Sequence, residues 1–203
     1  MAEELPELVV RDVRAWRTWL NDHHGEQAGV WLVLAKKGSI EPTRLSYDDA
    51  LEEALAHGWI DGQVKRRDDA TYRQRFTPRR RRSAWSQRNV ALVERLAAEG
   101  RMHPAGEAEV ARAKDDGRWE TAYAGAATIE VPEDLTAALA VNDRARAAFD
   151  SLSGQNRYAV LYRITTARRS DTRARRIRQL VAMLGRGETP YPQRAKRGSA
   201  RPR

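Results

Sequence analysis

The sequence predicts an α+β fold: a small, mostly antiparallel sheet packed with N-terminal helices, followed by a helical C-terminal half. Three observations carry this. Gly29 to Ala35 is a continuous apolar run rich in β-formers. Ile60 to Lys65 and Tyr72 to Phe76 both alternate as strands, and Arg67-Asp68-Asp69 between them fits a hairpin loop. After Pro78 every apolar pattern recurs at helical spacing.

The elements follow in order. Val13, Trp16, Trp19 and Leu20 lie on one face of a first helix, which Asn21 and Gly25 end. The apolar run from Gly29 reads as a buried strand, and Lys36-Lys37-Gly38 returns the chain to the surface. Ser46 is placed to cap a second helix, with Asp48 and Asp49 in its first turn, where negative charge meets the positive end of the helix dipole. Leu45 and Ala50 form a hydrophobic staple, and Gly58 supplies a left-handed stop. Ile60, Gly62 and Val64 are expected on one strand face, and Tyr72, Gln74 and Phe76 on one face of the next. A helix is predicted over Ser83 to Ala98, with Trp85, Asn89, Leu92, Val93 and Leu96 along one side, and another over Pro104 to Lys114. Four more follow: one opening at Pro132, one on Ala145, Phe149 and Leu152, one on Tyr158, Leu161 and Tyr162, and a last one striped by Ile177, Leu180 and Leu184. This gives one α+β domain over residues 1–187, its sheet-containing part about 8–80 and its helical part about 83–187, and a disordered basic tail over 188–203.

Composition narrows the function. The chain is 41% hydrophobic, enough for a core, while a mean hydropathy of -0.75 marks a heavily charged surface. No apolar run reaches the length of a membrane span, and the acidic start Met1 to Pro6 lacks the apolar core of a signal peptide, so a cytoplasmic location is expected. With no cysteine, disulfides, thiol nucleophiles and Cys-based metal sites are excluded. The net charge is +9, and the segment after Leu184, with Arg186, Arg194, Lys196, Arg197, Arg201 and Arg203 against Glu188, supplies more than half of it. Such charge attracts polyanions. Nucleic acid is therefore a candidate partner through Arg173, Arg176 and the basic tail, although no aromatic ladder accompanies them.

The most informative stretch is Gly58-Trp59-Ile60-Asp61-Gly62 with Phe76-Thr77-Pro78-Arg79-Arg80-Arg81-Arg82-Ser83-Ala84-Trp85-Ser86-Gln87-Arg88-Asn89. Four arginines ahead of a helix start break a local rule, since that end already carries partial positive charge. One reading supplies an anion. A carboxylate or phosphate of a small ligand or acidic protein partner would take the helix N–H groups, the Ser83 or Ser86 hydroxyl and a fork from Arg79 or Arg80. Trp59, Trp85, Asn89 and Lys36 would face it, and Asp61 would orient an arginine or serve as acid or base in an enzyme. The other reading is structural: Asp61, Asp68 and Asp69 pair with the arginines, Ser83 is a cap and the tryptophans are core.

The same residues carry a resemblance. Gly29 to Leu32, Lys36-Lys37, Ser46-Tyr47, Gly58 to Gly62, Phe76 to Arg80, Trp85-Ser86, Asn89, Pro104-Ala105-Gly106, Asp116 to Trp119, Tyr123, Thr172-Arg173 and Arg176-Ile177 stand in the order and spacing of one family. Over residues 8 to 187 the chain resembles the YdeI/OmpD-associated, or bacteriocin-protection, proteins. The resemblance implies an α+β architecture and an accessory role in tolerance of bacteriocins or cationic antimicrobial peptides. It implies no catalytic residues.

Other chemistry lacks its motifs. There is no phosphate-binding loop, dinucleotide fingerprint or nucleophile elbow, so no cofactor is expected. The histidines, His23, His24, His57 and His103, are not spaced as a metal site, and none is expected.

Overall fold

A computed structural model describes residues 5–193. The tail expected from 188 therefore lies largely outside the described residues. Two compact units divide the chain between Ala122 and Tyr123.

The first unit holds a four-stranded sheet in the order β1-β2-β4-β3, formed by β1 (Glu7–Leu8), β2 (Val30–Ala35), β3 (Trp59–Arg66) and β4 (Thr71–Pro78). The apolar run is the inner strand β2. It pairs antiparallel with β4 and parallel with the two-residue β1, which the sequence did not reveal. Its unbroken apolar character follows from burial on both faces: Val30 to Leu34 are all buried. β3 and β4 make the expected hairpin. Asp68 shapes its turn by accepting from the backbone N–H groups of Ala70 and Thr71 at 2.9 and 2.7 Å.

The alternation expected in β3 is interrupted. Asp61 stands opposite Phe76 and Val64 opposite Gln74, so three steps on β3 match two on β4. This is a β-bulge. Gln74, buried, donates to the freed carbonyl of Gly62 at 2.9 Å. Val64, opposite Gln74, therefore does not continue the row begun by Ile60, which stands opposite Thr77.

Four helices complete the unit: α1 (Val13–His23), α2 (Tyr47–Ala56), α3 (Gln87–Ala98) and α4 (Pro104–Asp115). Ser46 caps α2 as expected, accepting from the Asp49 N–H at 3.2 Å. Gly58 takes φ +76° just beyond that helix. The core gathers Trp16, Leu20, Leu32, Leu34, Leu51, Leu55, Trp59, Phe76, Val93 and Leu96. Gly106 lets α4 approach α2: a Cβ there would stand 2.1 Å from the Ala56 carbonyl oxygen.

The second unit is helical: α5 (Glu133–Ala140), α6 (Asp143–Asp150), α7 (Gly154–Thr165) and α8 (Ser170–Gly185). Its own core contains Leu135, Leu139, Phe149, Val160, Leu161, Ile164, Ile177, Leu180 and Leu184. Asn156 of α7 holds the chain beyond α8, accepting from the Tyr191 N–H at 2.9 Å and donating to the Tyr191 carbonyl at 3.0 Å. Residues 188–193 are thus tied to a helix, and 194–203 lie outside the described residues.

A candidate anion site in the first unit

The arginine cluster does not abut a helix start. α3 begins at Gln87, later than the predicted Ser83, and its cap is Ser86, whose hydroxyl accepts from the Asn89 N–H at 3.2 Å. Ser83 closes a turn instead: it accepts from the Arg80 N–H at 3.0 Å, and its own N–H donates to the Arg80 carbonyl at 2.8 Å. The segment 79–86 is a loop between β4 and α3.

Two buried guanidiniums brace that loop. Arg79, 5% exposed, stacks on the Trp85 indole at 3.5 Å and donates to the Ala84 carbonyl at 3.2 Å. Arg118, also 5% exposed, reaches in from beyond α4 and donates to the Ser83 carbonyl at 2.8 Å and to Asp116 at 2.7 Å. Trp119 meets Trp85 edge-on at 4.8 Å. Arg118 and Trp119 are not among the site residues expected from sequence. Their signal is the Arg-Trp pair that follows the Gly117 turn.

Donors outnumber acceptors here. The Trp85 Nε1–H and the Arg118 Nη2 group are buried and have no hydrogen-bond acceptor among the described residues. An unmet buried donor costs about 1–3 kcal/mol, more when charged. Arg80, Arg81 and Arg82 have no carboxylate partner among the described residues, and Arg80 and Arg81 are exposed. The acids expected to neutralise the cluster are engaged elsewhere: Asp68 with Arg67, Asp69 with Arg66, and Asp61 with the Tyr47 hydroxyl at 2.9 Å.

The remaining expected residues separate. Trp59 is core: it packs edge-on against Trp16 and Trp19, and its indole N–H donates to the His24 carbonyl at 3.1 Å. Lys36 lies at the other end of the sheet. It donates to the Asp68 carbonyl at 2.7 Å, beside the Ala35–Thr71 pair, whereas Arg79 follows Pro78. Seven strand residues set those ends roughly 20–24 Å apart. Asp61 joins a different group: burial and then the Asp61 charge push the Tyr47 phenol pKa up, and the Arg88 guanidinium lies 5.5 Å from the Tyr47 ring.

A second polar group was not legible in sequence. His24, His57 and His103 come together, with ring centroids 4.6 to 6.0 Å apart. Beside them is a cavity of about 300 Å³ lined by Arg17, Asn21, Glu53, His57, Arg101 and His103. Glu53, 3% exposed, accepts from Arg17 at 2.8 and 2.6 Å and from Arg101 at 3.0 Å. Burial pushes its carboxyl up, but these guanidiniums outweigh burial and hold it below the usual range. Burial lowers the pKa of His57 and His103. No group of three or more His, Asp or Glu among the described residues is arranged to hold a metal ion.

In the second unit, Arg173 forks onto Asp134 at 2.5 and 2.9 Å, and Arg176 donates to the Arg163 carbonyl at 2.5 Å. Both candidate nucleic-acid residues thus have partners within their own unit.

Comparison with known families divides the chain as the structure does. Residues 8–109 match a family described as a domain of unknown function (DUF8412), and residues 128–187 match one described as bacteriocin-protection, YdeI or OmpD-associated. By the larger match the chain belongs to the family described as a domain of unknown function (DUF8412), and its segment 128–187 carries a bacteriocin-protection, YdeI or OmpD-associated domain. Within the matched segment fall Thr172, Arg173, Arg176 and Ile177 of the residues that carried the resemblance; most of the others lie in the half that matches the domain of unknown function. No curated protein and no solved structure matches the chain. No helix among the described residues is long and apolar enough to cross a membrane.

Proposed function

We propose that this chain, whose segment 128–187 carries a bacteriocin-protection domain, is a cytoplasmic tolerance accessory protein that binds a small carboxylate or phosphate ligand at the 79–86 loop. The observation that supports this reading is the pair of buried donors without acceptors, Trp85 Nε1 and Arg118 Nη2, in a loop whose Arg80 and Arg81 face solvent. An anion supplies acceptors to such donors and charge to such cations in one step. Arg79 and Trp85 serve as the braced floor, Arg118 as the inner donor, and Arg80 and Arg81 as the outer clamp. A chain of net charge +9 repels cationic peptides, so tolerance would act through the ligand and not through capture of the toxin.

The test is a thermal-shift titration with sodium phosphate and citrate on the wild type and on Arg80→Ala/Arg81→Ala. At a hundredfold excess over Kd a ligand stabilises by about 2.7 kcal/mol. We expect a shift of several degrees in the wild type and none in the variant, whose ligand-free Tm stays unchanged. No shift in the wild type with either anion, or an equal shift in both proteins, defeats the proposal.

A further inference from the structure

The sheet of the first unit has two unlike faces. The helices pack on the side of Val30, Leu32 and Leu34. On the other side, Trp31 and Val33 are buried without belonging to that core. Their cross-strand partners are cations: Trp31 stands opposite Arg75, and Val33 opposite Arg73. Lys65, opposite Arg73 on β3, lays its ammonium 4.4 Å from the Trp31 ring centroid. Arg67 joins them at the hairpin end, sharing Glu7 with Arg73 at 3.0 and 3.3 Å.

These cations are held in place. A Cβ on Gly62 would stand 3.0 Å from the Arg75 Nε. The absent side chain at the bulge therefore leaves room for the Arg75 guanidinium to lie across β3. Lys65 is steadied by the Trp31 ring. Neither Arg75 nor Lys65 has a carboxylate partner among the described residues, and Glu7 is shared by two arginines. Arg73 and Arg75 project from one face of one strand, about 7 Å apart, with Lys65 across from Arg73 at about 5 Å.

We propose that this face, with Lys65, Arg67, Arg73 and Arg75, binds the phosphate backbone of a nucleic acid without reading its sequence. A row of fixed cations suits a polymer of regularly spaced phosphates better than a single small anion, which would engage one or two of them. Guanidiniums fork onto phosphate oxygens. Trp31 is 6% exposed, so no base stacks on it, and recognition stays with the backbone. The large apolar residues of this face, Trp31 and Val33, are covered and offer no wedge to a lipid surface. The face is distinct from the 79–86 loop and from α8.

The experiment is fluorescence anisotropy of the full chain with a labelled 20-nucleotide single strand and a 20-base-pair duplex at several salt concentrations. Phosphatidylserine vesicles form a third arm. Lys65→Glu/Arg75→Glu is expected to weaken nucleic-acid binding at least tenfold and to flatten the salt slope by about two, close to one for each phosphate no longer neutralised. Arg175→Glu/Arg178→Glu on α8 carries the same charge change and is expected to stay within about twofold of wild type. Glu7→Gln, which removes the carboxylate shared by Arg67 and Arg73 and leaves the Asp68 pair with Arg67 in place, is expected to tighten binding. Lys65→Arg/Arg75→Lys is expected to retain it. If the reversal variant loses its thermal transition, Lys65→Gln/Arg75→Gln takes its place with an expected loss of at least threefold. Absence of nucleic-acid binding by the wild type, equal losses in the sheet and α8 variants, or binding to vesicles alone overturns the proposal.

Discussion

The Arg79 guanidinium lies 3.5 Å from the centroid of the Trp85 ring, and both side chains are buried. A cation in that position is desolvated, so its attraction to the ring is worth about 2 kcal/mol or more. Its hydrogen bond to the Ala84 carbonyl adds to this. Arg79→Ala is therefore expected to lower the stability of the first unit by about 3 kcal/mol. Arg80→Ala, on the exposed neighbour, should change it by less than about 0.5 kcal/mol. Urea denaturation followed by tryptophan fluorescence separates the two. Equal small losses would mean that the stack carries no energy.

Gly106 makes the second prediction. The oxygen that a Cβ would strike at 2.1 Å belongs to the backbone of α2 and cannot rotate away. Gly106→Ala must push α4 off α2, at a cost of about 2–4 kcal/mol. Gly25, with nothing within 4 Å of a built Cβ, serves as the control: Gly25→Ala is expected to be neutral within about 0.5 kcal/mol. A Gly106→Ala protein as stable as the control would show that the two helices yield freely.

Local chemistry is legible in the sequence, and long-range pairing is not. Ser46 and Gly58 announce the ends of α2 because a cap and a left-handed stop are properties of a few adjacent residues. β2 is legible because both its faces are buried. β1 has two residues and exists only through pairing with β2, so no local pattern marks it. The bulge between Asp61 and Val64 likewise depends on the register with β4. A helix start at Ser83 is too early because Ser83 and Ser86 both offer a cap, and the turn with Arg80 claims the first. Charge groups Lys36 with Arg79, but strand length carries them to opposite ends. The bond from Arg118 to the Ser83 carbonyl spans 35 residues, and His24, His57 and His103 are as widely spaced, so no local pattern announces either group.

The histidines predict how stability follows pH. His57 and His103 have folded pKa values below the 6.5 of a free histidine, chiefly through burial. The unfolded chain therefore takes up protons that the folded unit refuses. Their contribution is fully present above pH 6.5 and is lost as pH falls from there towards the folded values. Each such proton gives a slope of up to about 1.4 kcal/mol per pH unit. Glu53 acts in the same direction lower down: its folded pKa lies below 4.5, so its contribution is lost as pH falls through the acid range beneath that. Urea denaturation between pH 7.5 and 5.5 should show stability declining, and His57→Gln should flatten the decline. An unchanged slope in His57→Gln would show that His57 titrates alike in both states.

The final prediction concerns the chain beyond α8. Asn156, 1% exposed, is bound through its amide to both backbone groups of Tyr191 and to the Gln193 side chain at 2.8 Å. Those bonds join a buried helix position to a segment that has no regular structure of its own. Asn156→Ala removes all of them, while Tyr191, 44% exposed, can take water in exchange. The cost to the second unit is therefore expected to be moderate, about 1–3 kcal/mol. The local effect should be larger than the global one. The Tyr191 amide, protected through its bond to Asn156 Oδ1, is expected to exchange with deuterium at the rate of an open chain in the variant, while the amides of α7 near Val160 keep most of their protection. Hydrogen exchange read residue by residue measures both. Retained protection at Tyr191 in Asn156→Ala would show that other interactions hold the segment, and loss of protection at Val160 as well would show that Asn156 supports the helix core itself.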